Sequence, residues 1–243
     1  MHSKEISWLL KEKYNNVLTD EARIDIVRLQ EGKPVDYLIG FTDFLGCRID
    51  LSKKPLIPRS ETEFWTEKAI QEMRGNPKCL DIFAGSGCIG IGILTHVPGA
   101  TVDFADSNPE MTEQIEINCK LNDINPSRYR IIQSDIFANL SGSYDYIFAN
   151  PPYIAENSPY VQESVVQYEP RSALFSGLDG LFHIRRFLKE VKNHLNPGGK
   201  FYMEFDSEQK NVIAREFKVE FHKDQFGKWR FISSPTQAIS HGG

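Results

Sequence analysis

Apolar residues after position 78 recur in short runs that alternate between two spacings. Runs of apolar and β-branched residues predict strands at 79–83, 101–105, 130–133, 144–149, 200–205, 219–222 and 229–232. Apolar residues at helical spacing predict intervening helices at 89–96, 109–122, 181–195 and 209–217. Repeated strand–helix units require a mostly parallel sheet with helices on both faces, and the last two strands add an antiparallel edge. The pattern therefore predicts an α/β fold.

The residues before position 55 follow a different pattern. Helical spacing across residues 3–31 predicts two short helices, and Thr19 has the side chain and the position of an N-cap for the second. Aromatic and β-branched residues at 37–51 predict a small β-hairpin. We therefore divide the chain into a small N-terminal region, 1–54, with helices and a hairpin, and a main domain, 55–243.

The composition is ordinary for a soluble globular protein, since 40% of the 243 residues are apolar and 25% are charged. No apolar stretch approaches the roughly 20 residues that a membrane span needs. Residues 1–14 are charged and lack the apolar core of a signal peptide. We therefore expect a cytoplasmic location and no membrane partner.

The cysteines and the net charge limit the classes of ligand. Cys47, Cys79, Cys88 and Cys119 are widely spaced, with no second cysteine or histidine at zinc-ligand spacing, so we expect free thiols and no metal site. The net charge is −5 and Lys and Arg are scattered. Because phosphate contacts dominate nucleic-acid affinity, a nucleic acid is not expected as the direct substrate. A monomer is the expected oligomeric state.

A glycine-rich turn, Asp81 to Gly90, joins the first strand of the main domain to its first helix. Glycines at positions 85, 87 and 90 let the backbone turn sharply and approach a ligand closely. About 20 residues further on, the next strand ends at Asp106, where a carboxylate accepts hydrogen bonds from both hydroxyls of a ribose. These features suit NAD and S-adenosylmethionine equally. A bare tight turn, a helix cap at Asp106 and the cap of a following turn at Asp135 remain alternatives.

The tetrapeptide Asn150-Pro151-Pro152-Tyr153 follows the apolar strand at 144–149. The prolines fix φ and carry no N–H, so the carbonyl groups of Asn150 and Pro151 are left as acceptors. A planar –NH2 group needs such a pocket, with two acceptors for its hydrogens and an aromatic face over its plane. Asp135 and Ile136, after the third strand, suit the edge and face of an adenine. The ends of these strands converge on one crevice, and only a methyl donor explains Asn150 there.

The chain resembles the protein-(glutamine-N5) methyltransferases, the HemK or PrmC family, which modify the Gly-Gly-Gln loop of peptide-chain release factors. The resemblance covers about residues 28 to 233 and is carried by Arg28 to Gly40, Phe44, Leu56-Ile57-Pro58-Arg59-Ser60-Glu61-Thr62-Glu63, Asp81 to Gly90, Asp106, Asp135, Asn150 to Tyr153 and Glu169 to Leu174. The tetrapeptide is shared with adenine-N6 methyltransferases. The segment from Leu56 to Glu63 is much more specific to the glutamine enzymes.

The resemblance implies a Rossmann-like class I S-adenosylmethionine-dependent methyltransferase fold with a seven-stranded, mostly parallel sheet. It implies methyl transfer to the glutamine of a release factor, with region 1–54 docking the substrate and 55–243 as the catalytic domain. The implied cofactor-binding residues are Phe83, Ala84, Gly85, Ser86, Gly87, Asp106, Asp135, Ile136 and Asn150. Substrate-binding residues are Asn150, Pro151, Pro152 and Tyr153, of which Asn150, Pro151 and Tyr153 are catalytic.

The chain departs from the family pattern in three places. Phe83 stands where the family usually has glycine, Phe205 replaces the glycine that normally follows Glu204, and the N-terminal helical part is shorter. Alternatives remain open: an adenine-N6 methyltransferase of DNA or RNA, a glutamine methyltransferase of a ribosomal protein, a non-catalytic binding module, and an NAD-dependent oxidoreductase.

Four further assignments depend on the tertiary structure. Arg59 either orders the linker beside the donor pocket or pairs with Glu61 or Glu63 on a solvated face. His183 is interpreted as a surface or core-edge residue and not as a catalyst, and so is His194. Residues 155–180 directly follow the tetrapeptide, and we interpret them as a flap over the substrate.

Overall fold

A computed structural model describes residues 3–159 and 162–235. A seven-stranded sheet with the order β5-β4-β3-β6-β7-β9-β8 forms its centre. The strands of the sheet are β3 Lys78–Ile82, β4 Thr101–Asp106, β5 Tyr129–Gln133, β6 Tyr144–Ala149, β7 Leu195–Glu204, β8 Glu220–Lys223 and β9 Trp229–Ser233. Strands β3 to β7 pair in parallel, whereas β9 is antiparallel to both β7 and β8. The predicted sheet and its antiparallel edge are confirmed.

The strand order reverses between β3 and β6. From β3 the chain builds outwards through β4 and β5, and it then returns to place β6 on the other side of β3. Because these strands are parallel, their carboxyl ends at Ile82, Asp106 and Ala149 share one edge of the sheet. Open α/β sheets bind ligands at such a switch point.

Helices cover both faces of the sheet, and successive strand residues supply opposite faces. Cys79 and Phe148 belong to the core on one face, whereas Leu80 and Ile147 belong to the core on the other. The helices of the main domain are α4 Ser60–Glu72, α5 Cys88–His96, α6 Pro109–Leu121, α7 Glu163–Tyr168, α8 Arg171–Leu174, α9 Phe182–Glu190 and α10 Lys210–Glu216. None of the helices in the described part of the chain has the length and apolar character that a membrane crossing requires.

The N-terminal region consists of α1 Ser3–Tyr14, α2 Asp20–Gln30 and α3 Val35–Ile39, followed by the hairpin strands β1 Phe41–Phe44 and β2 Cys47–Asp50. The Thr19 hydroxyl accepts a hydrogen bond from the backbone N–H of Ala22, which confirms the predicted N-cap. Helices α1 to α3 enclose a small core of their own around Leu9 and Leu29. The hairpin, in contrast, contributes Phe44 and Ile49 to the core of the main domain.

Three predicted boundaries were wrong. The hairpin begins at Phe41 instead of residue 37, because Gly40 adopts φ 97° and ends the short helix α3. The helix predicted to reach residue 195 ends at Glu190 and tightens into a 3₁₀ turn, as helix ends often do. The strand predicted at 200–205 begins at Leu195, where Tyr144 aligns with Leu195 but Tyr146 aligns with Lys200, so that the extra residues form an irregularity in the pairing.

The segment after the tetrapeptide carries structure of its own. It contains α7 and α8, and a parallel bridge joins Ile154 to Phe175. The backbone N–H of Ser176 donates to the Ile154 carbonyl at 2.9 Å. Positions 160 and 161 lie outside the described residues. In the described residues, backbone hydrogen bonds therefore hold this segment to Ile154, directly after the tetrapeptide.

Candidate active site

Three residues of the glycine-rich turn that follows β3 have positive φ. Gly85 and Gly87 adopt φ 54° and 78°, and Phe83 adopts φ 59°. A non-glycine residue in this left-handed conformation costs about 1 kcal/mol. The backbone at Phe83 thus takes the conformation that glycine adopts readily, with an aromatic side chain added.

Gly90 has a different role from the one that its place in the turn suggests. A Cβ atom at Gly90 would collide with the ring of Phe104 on β4. The absence of a side chain therefore lets α5 approach the sheet closely. The expectation that Gly90 admits a ligand was wrong, because the residue faces the core instead of the crevice.

Asp106 stands at the end of β4 and fixes the turn. One carboxylate oxygen accepts a hydrogen bond from the Gly85 N–H at 2.9 Å, and the other accepts from the Asn108 N–H at 2.9 Å. Burial raises the pKa of Asp106, and its backbone hydrogen bonds act in the opposite direction. The N-cap of α6 is Asn108, whose side chain accepts from the Glu110 N–H, so the alternative of Asp106 as the helix cap was wrong.

A cavity of about 350 Å³ opens at the carboxyl ends of β3, β4 and β6, within the size range of small-molecule sites. Seven of the residues that the sequence predicted line it: Phe83, Gly85, Asp106, Asp135, Ile136, Asn150 and Pro152. Ala84, Ser86, Gly87, Pro151 and Tyr153 are not among its lining residues. Ser86 is buried beneath the turn, where its carbonyl accepts a hydrogen bond from the Asn118 side chain.

The composition of the cavity wall fits a nucleoside. The carboxyl groups of Asp106 and Asp135 supply hydrogen-bond acceptors, while Met111 and the buried Ile136 supply apolar surface. Gly85 brings the backbone to the cavity without a Cβ. Sequence reasoning missed nine lining residues: Leu56, Ser107, Asn108, Met111, Ser134, Pro170, Ser172, Ala173 and His183.

Two residues of α9 contact side chains of the cavity wall. The two terminal nitrogens of Arg186, Nη1 and Nη2, each donate a hydrogen bond to one oxygen of the Asp135 carboxylate at 3.0 Å. His183 packs edge-on against Phe83, and its Nδ1 lies 2.8 Å from the Ser176 hydroxyl. Burial lowers the pKa of His183, which favours the neutral ring. His183 was interpreted as a surface or core-edge residue; it is partly buried, and its ring forms part of the cavity wall.

The side chain of Asn150 is held from one end only. Its Nδ2 donates to the Thr62 hydroxyl at 3.3 Å. Its Oδ1 is buried and has no hydrogen-bond partner among the described residues. An unpaired buried acceptor costs about 1–3 kcal/mol, so native proteins rarely keep one without a functional reason. Asn150 is also a lining residue of the cavity, so the unpaired acceptor belongs to a side chain of the site.

Glu204, at the end of β7, is a buried carboxylate that sequence reasoning did not assign to the site. Oε2 accepts hydrogen bonds from the Thr62 hydroxyl at 2.6 Å and from Trp65 Nε1 at 2.9 Å, while Oε1 accepts from the Tyr153 hydroxyl at 3.0 Å. Burial raises the pKa of Glu204, and these hydrogen bonds act in the opposite direction. A glutamate within the apolar run 200–205 was the available signal.

Arg59 forms an ion pair with Glu169, whose side chain is only 1% exposed. Glu169 also accepts a hydrogen bond from the Ile57 N–H at 3.2 Å. The pair therefore ties the segment around Leu56 to the segment around Pro170, and both of these residues line the cavity. Arg59 orders the linker, and the alternative of pairing with Glu61 or Glu63 was wrong.

The comparisons with known proteins agree with this geometry. A family model described as the methyltransferase small domain matches residues 64–171. Proteins named release factor glutamine methyltransferase are 32% identical in Lactococcus lactis, over 94% of this chain and 88% of that protein, and 34% identical in Streptococcus pneumoniae, over 84% and 76%. A solved methyltransferase structure from Pyrococcus furiosus has a TM-score of 0.57 at 20% identity, over 86% of this chain and 95% of that one, and shows a shared fold.

Proposed function

The chain belongs to the release factor glutamine methyltransferase family, and from this premise we propose that it methylates the side-chain amide nitrogen of the glutamine in the Gly-Gly-Gln motif of a peptide-chain release factor. The methyl donor is S-adenosylmethionine, and the product is S-adenosylhomocysteine. The unpaired Oδ1 of Asn150 beside the cavity carries this proposal, because a primary amide brings the hydrogen that such an acceptor lacks.

We assign donor binding to the cavity and to the turn beneath it. Asp106 accepts from the ribose hydroxyls, and Asp135 and Ile136 meet the adenine. The amino-acid end and ribose of the donor lie along the turn from Phe83 to Gly87, which reaches the cavity at Phe83 and Gly85, with Asn150 at the reacting end. When bound there, S-adenosylmethionine supplies an electrophilic methyl group on a positively charged sulfur.

The protein has to make a poor nucleophile react, because the amide lone pair is delocalised into the carbonyl. In our proposal Asn150 Oδ1 and the Pro151 carbonyl accept the two amide hydrogens and orient the nitrogen. Pro152 and Tyr153 enclose the amide plane and exclude water. Catalysis then consists mainly of positioning and electrostatic stabilisation by preorganised acceptors.

The same tetrapeptide is suited to the planar amine of adenine, so an adenine-N6 methyltransferase is the second function to test. Such an enzyme must extract a base from its stack and bind phosphates, whereas this chain carries a net charge of −5. Family membership and the charge both favour the release factor over a nucleic acid or a ribosomal protein. A non-catalytic module and an NAD-dependent oxidoreductase do not agree with the family.

We extend the proposal to the whole chain. Region 1–54 docks the release factor, and 55–243 is the catalytic domain. The enzyme acts as a monomer in the cytoplasm, where translation supplies its substrate.

The decisive experiment is methyl transfer from labelled S-adenosylmethionine to a purified release factor, with mass spectrometry to locate the label. We expect one methyl group on the Gly-Gly-Gln glutamine and none when that residue is replaced. Asn150→Ala is expected to lower turnover by about 10²–10³-fold, the usual effect of removing one preorganised hydrogen-bonding group, with donor affinity retained.

Label on nucleic acid in the same assay would establish the adenine alternative. Measurable donor binding without label on the release factor would show that the substrate is another protein. Near-normal turnover by Asn150→Ala would overturn the assignment of the tetrapeptide.

A further inference from the structure

The buried carboxylate of Glu204 collects hydrogen bonds from two separate parts of the site. Thr62 and Trp65, on α4, donate to one of its oxygens, and Tyr153, in the tetrapeptide, donates to the other. Its side chain lies in the protein interior, with 1% of the residue exposed. Glu204 itself is not a lining residue of the donor cavity, so its contacts point to a role through its neighbours.

The Thr62 hydroxyl connects Glu204 to Asn150 and determines which end of the Asn150 amide it can bind. A hydroxyl has a single proton, and the Thr62 proton is directed to Glu204 over 2.6 Å. The Thr62 oxygen can then only accept from Asn150, and the 3.3 Å contact must be made by the Nδ2 end of the amide. If the amide were reversed, Oδ1 would face an oxygen that has no proton to offer.

We propose that Thr62 and Glu204 are positioning residues that fix the Asn150 amide with its oxygen towards the substrate. Glu204 orients Thr62, Thr62 holds Asn150 Nδ2, and Oδ1 is thereby left as the acceptor for the glutamine N–H. Through Tyr153 the same carboxylate fixes the aromatic side of the pocket. The inference rests on the proposed function, since it assigns the direction of one hydrogen bond in that reaction.

The variant that tests the relay is Thr62→Val, which keeps the shape of the side chain and removes the hydroxyl. We expect kcat on the release factor to fall about tenfold or more, the effect of about 1.4 kcal/mol, with donor affinity within about twofold of wild type. Thr62→Ser restores the hydroxyl and is expected to recover most of the activity.

Thr66→Val is the matched control. Thr66 is a buried threonine one turn along α4, and its hydroxyl donates to the Thr62 carbonyl instead of to Glu204 or Asn150. Its loss removes a buried hydroxyl from the same helix and leaves the side-chain hydrogen bonds among Thr62, Glu204 and Asn150 in place. We expect near-normal kcat for this variant. A general structural effect of losing a buried threonine would lower kcat in both variants, whereas loss of the relay would lower it only in Thr62→Val.

A separate binding measurement tests the orientation of the Asn150 amide. A release factor whose Gly-Gly-Gln glutamine is replaced by glutamate presents a carboxylate, which Oδ1 repels and Nδ2 would attract. With S-adenosylhomocysteine present, calorimetry should show that the wild type strongly prefers the glutamine form. We expect Thr62→Val to reduce this preference about tenfold, because the amide is free to reverse.

The outcomes separate the inference from the proposed function. An inactive wild type would overturn the function itself. An active wild type with equal kcat and equal glutamine preference in Thr62→Val would overturn the relay alone. A similar loss in Thr62→Val and Thr66→Val, without recovery in Thr62→Ser, would also overturn it.

Discussion

Asp81 is completely buried beneath the glycine-rich turn. One of its oxygens accepts a hydrogen bond from the Gly90 N–H at 2.9 Å, and the other has no partner among the described residues. Burial raises the pKa of Asp81 to about 8, with a smaller contribution from the nearby Asp106. The folded protein therefore keeps this carboxyl group protonated at a pH where the unfolded chain has lost the proton.

A dependence of stability on pH follows at this residue. In unfolded chains an aspartate has a pKa of about 3.9, so the stabilisation from Asp81 is complete below about pH 4 and is lost as the pH rises to about 8. The asparagine in Asp81→Asn is neutral at every pH, so the variant does not lose stability through this residue as the pH rises. We expect urea denaturation to show that the variant gains free energy of unfolding, relative to wild type, between pH 5 and pH 8. A difference that does not change with pH would contradict the protonated state.

The four cysteines do not form disulfide bonds. Cys47, Cys79, Cys88 and Cys119 are all free and buried, which confirms the expectation for Cys79 and Cys88. Burial raises the pKa of the Cys47 thiol, which favours its protonated form. These side chains contribute apolar surface to the core on one face of the sheet.

At the scale of elements, the Arg59–Glu169 pair joins two chain segments that lie 110 positions apart in the sequence. Breaking a buried pair on one side costs about 3–5 kcal/mol because a desolvated charge loses its partner. We expect Glu169→Ala to approach the lower end of this range, since the Arg59 side chain is 35% exposed. Donor affinity should fall as well, because the joined segments form part of the cavity wall.

The matched control is Glu216→Ala on α10. Glu216 accepts two hydrogen bonds from Arg185, but both side chains are about one-third exposed, and Arg185 keeps a second partner in Asp179. Exposed pairs contribute about 0–1 kcal/mol. Chemical denaturation of both variants, with and without S-adenosylhomocysteine, measures the difference. Equal losses of stability would show that Glu169 acts only as a surface charge.

At the scale of the whole molecule, the N-terminal region exposes several apolar side chains on and just before one helix. Ile24 and Val27 lie three residues apart on α2 and are 53% and 51% exposed. Residues at this spacing are neighbours on a helix surface. Val17 and Leu18, just before the helix, are also exposed. An apolar patch of this kind agrees with the proposal that region 1–54 docks a protein substrate.

Ile24→Glu tests this docking proposal. We expect the KM for the release factor to rise about tenfold, while kcat and donor affinity stay near the wild-type values, because Ile24 is exposed and does not line the cavity. Leu121→Glu, at an equally exposed leucine at the end of α6, is the control and should leave KM unchanged. Identical KM values for the two variants would show that the release factor docks at another surface.

The sequence by itself determined the type and order of the main elements and the tetrapeptide at the end of β6. These features depend on interactions between residues close in the chain: the spacing of apolar side chains, the φ preference of glycine and proline, and the cap at Thr19. The positions of Gly85, Asp106 and Asn150 at strand ends then followed from the rule that parallel strands align their carboxyl ends.

Only the tertiary structure decided which side chains meet. Glu204 reaches Thr62 across 142 positions of sequence, and Arg59 reaches Glu169 across 110. Neither partner carries a local signal of the other, because the order of strands in the sheet and the docking of α4 bring them together. The role of Gly90 and the place of His183 in the cavity wall were decided in the same way. Local periodicity specifies which face of an element is buried, whereas the partner on that face depends on the packing of the whole chain.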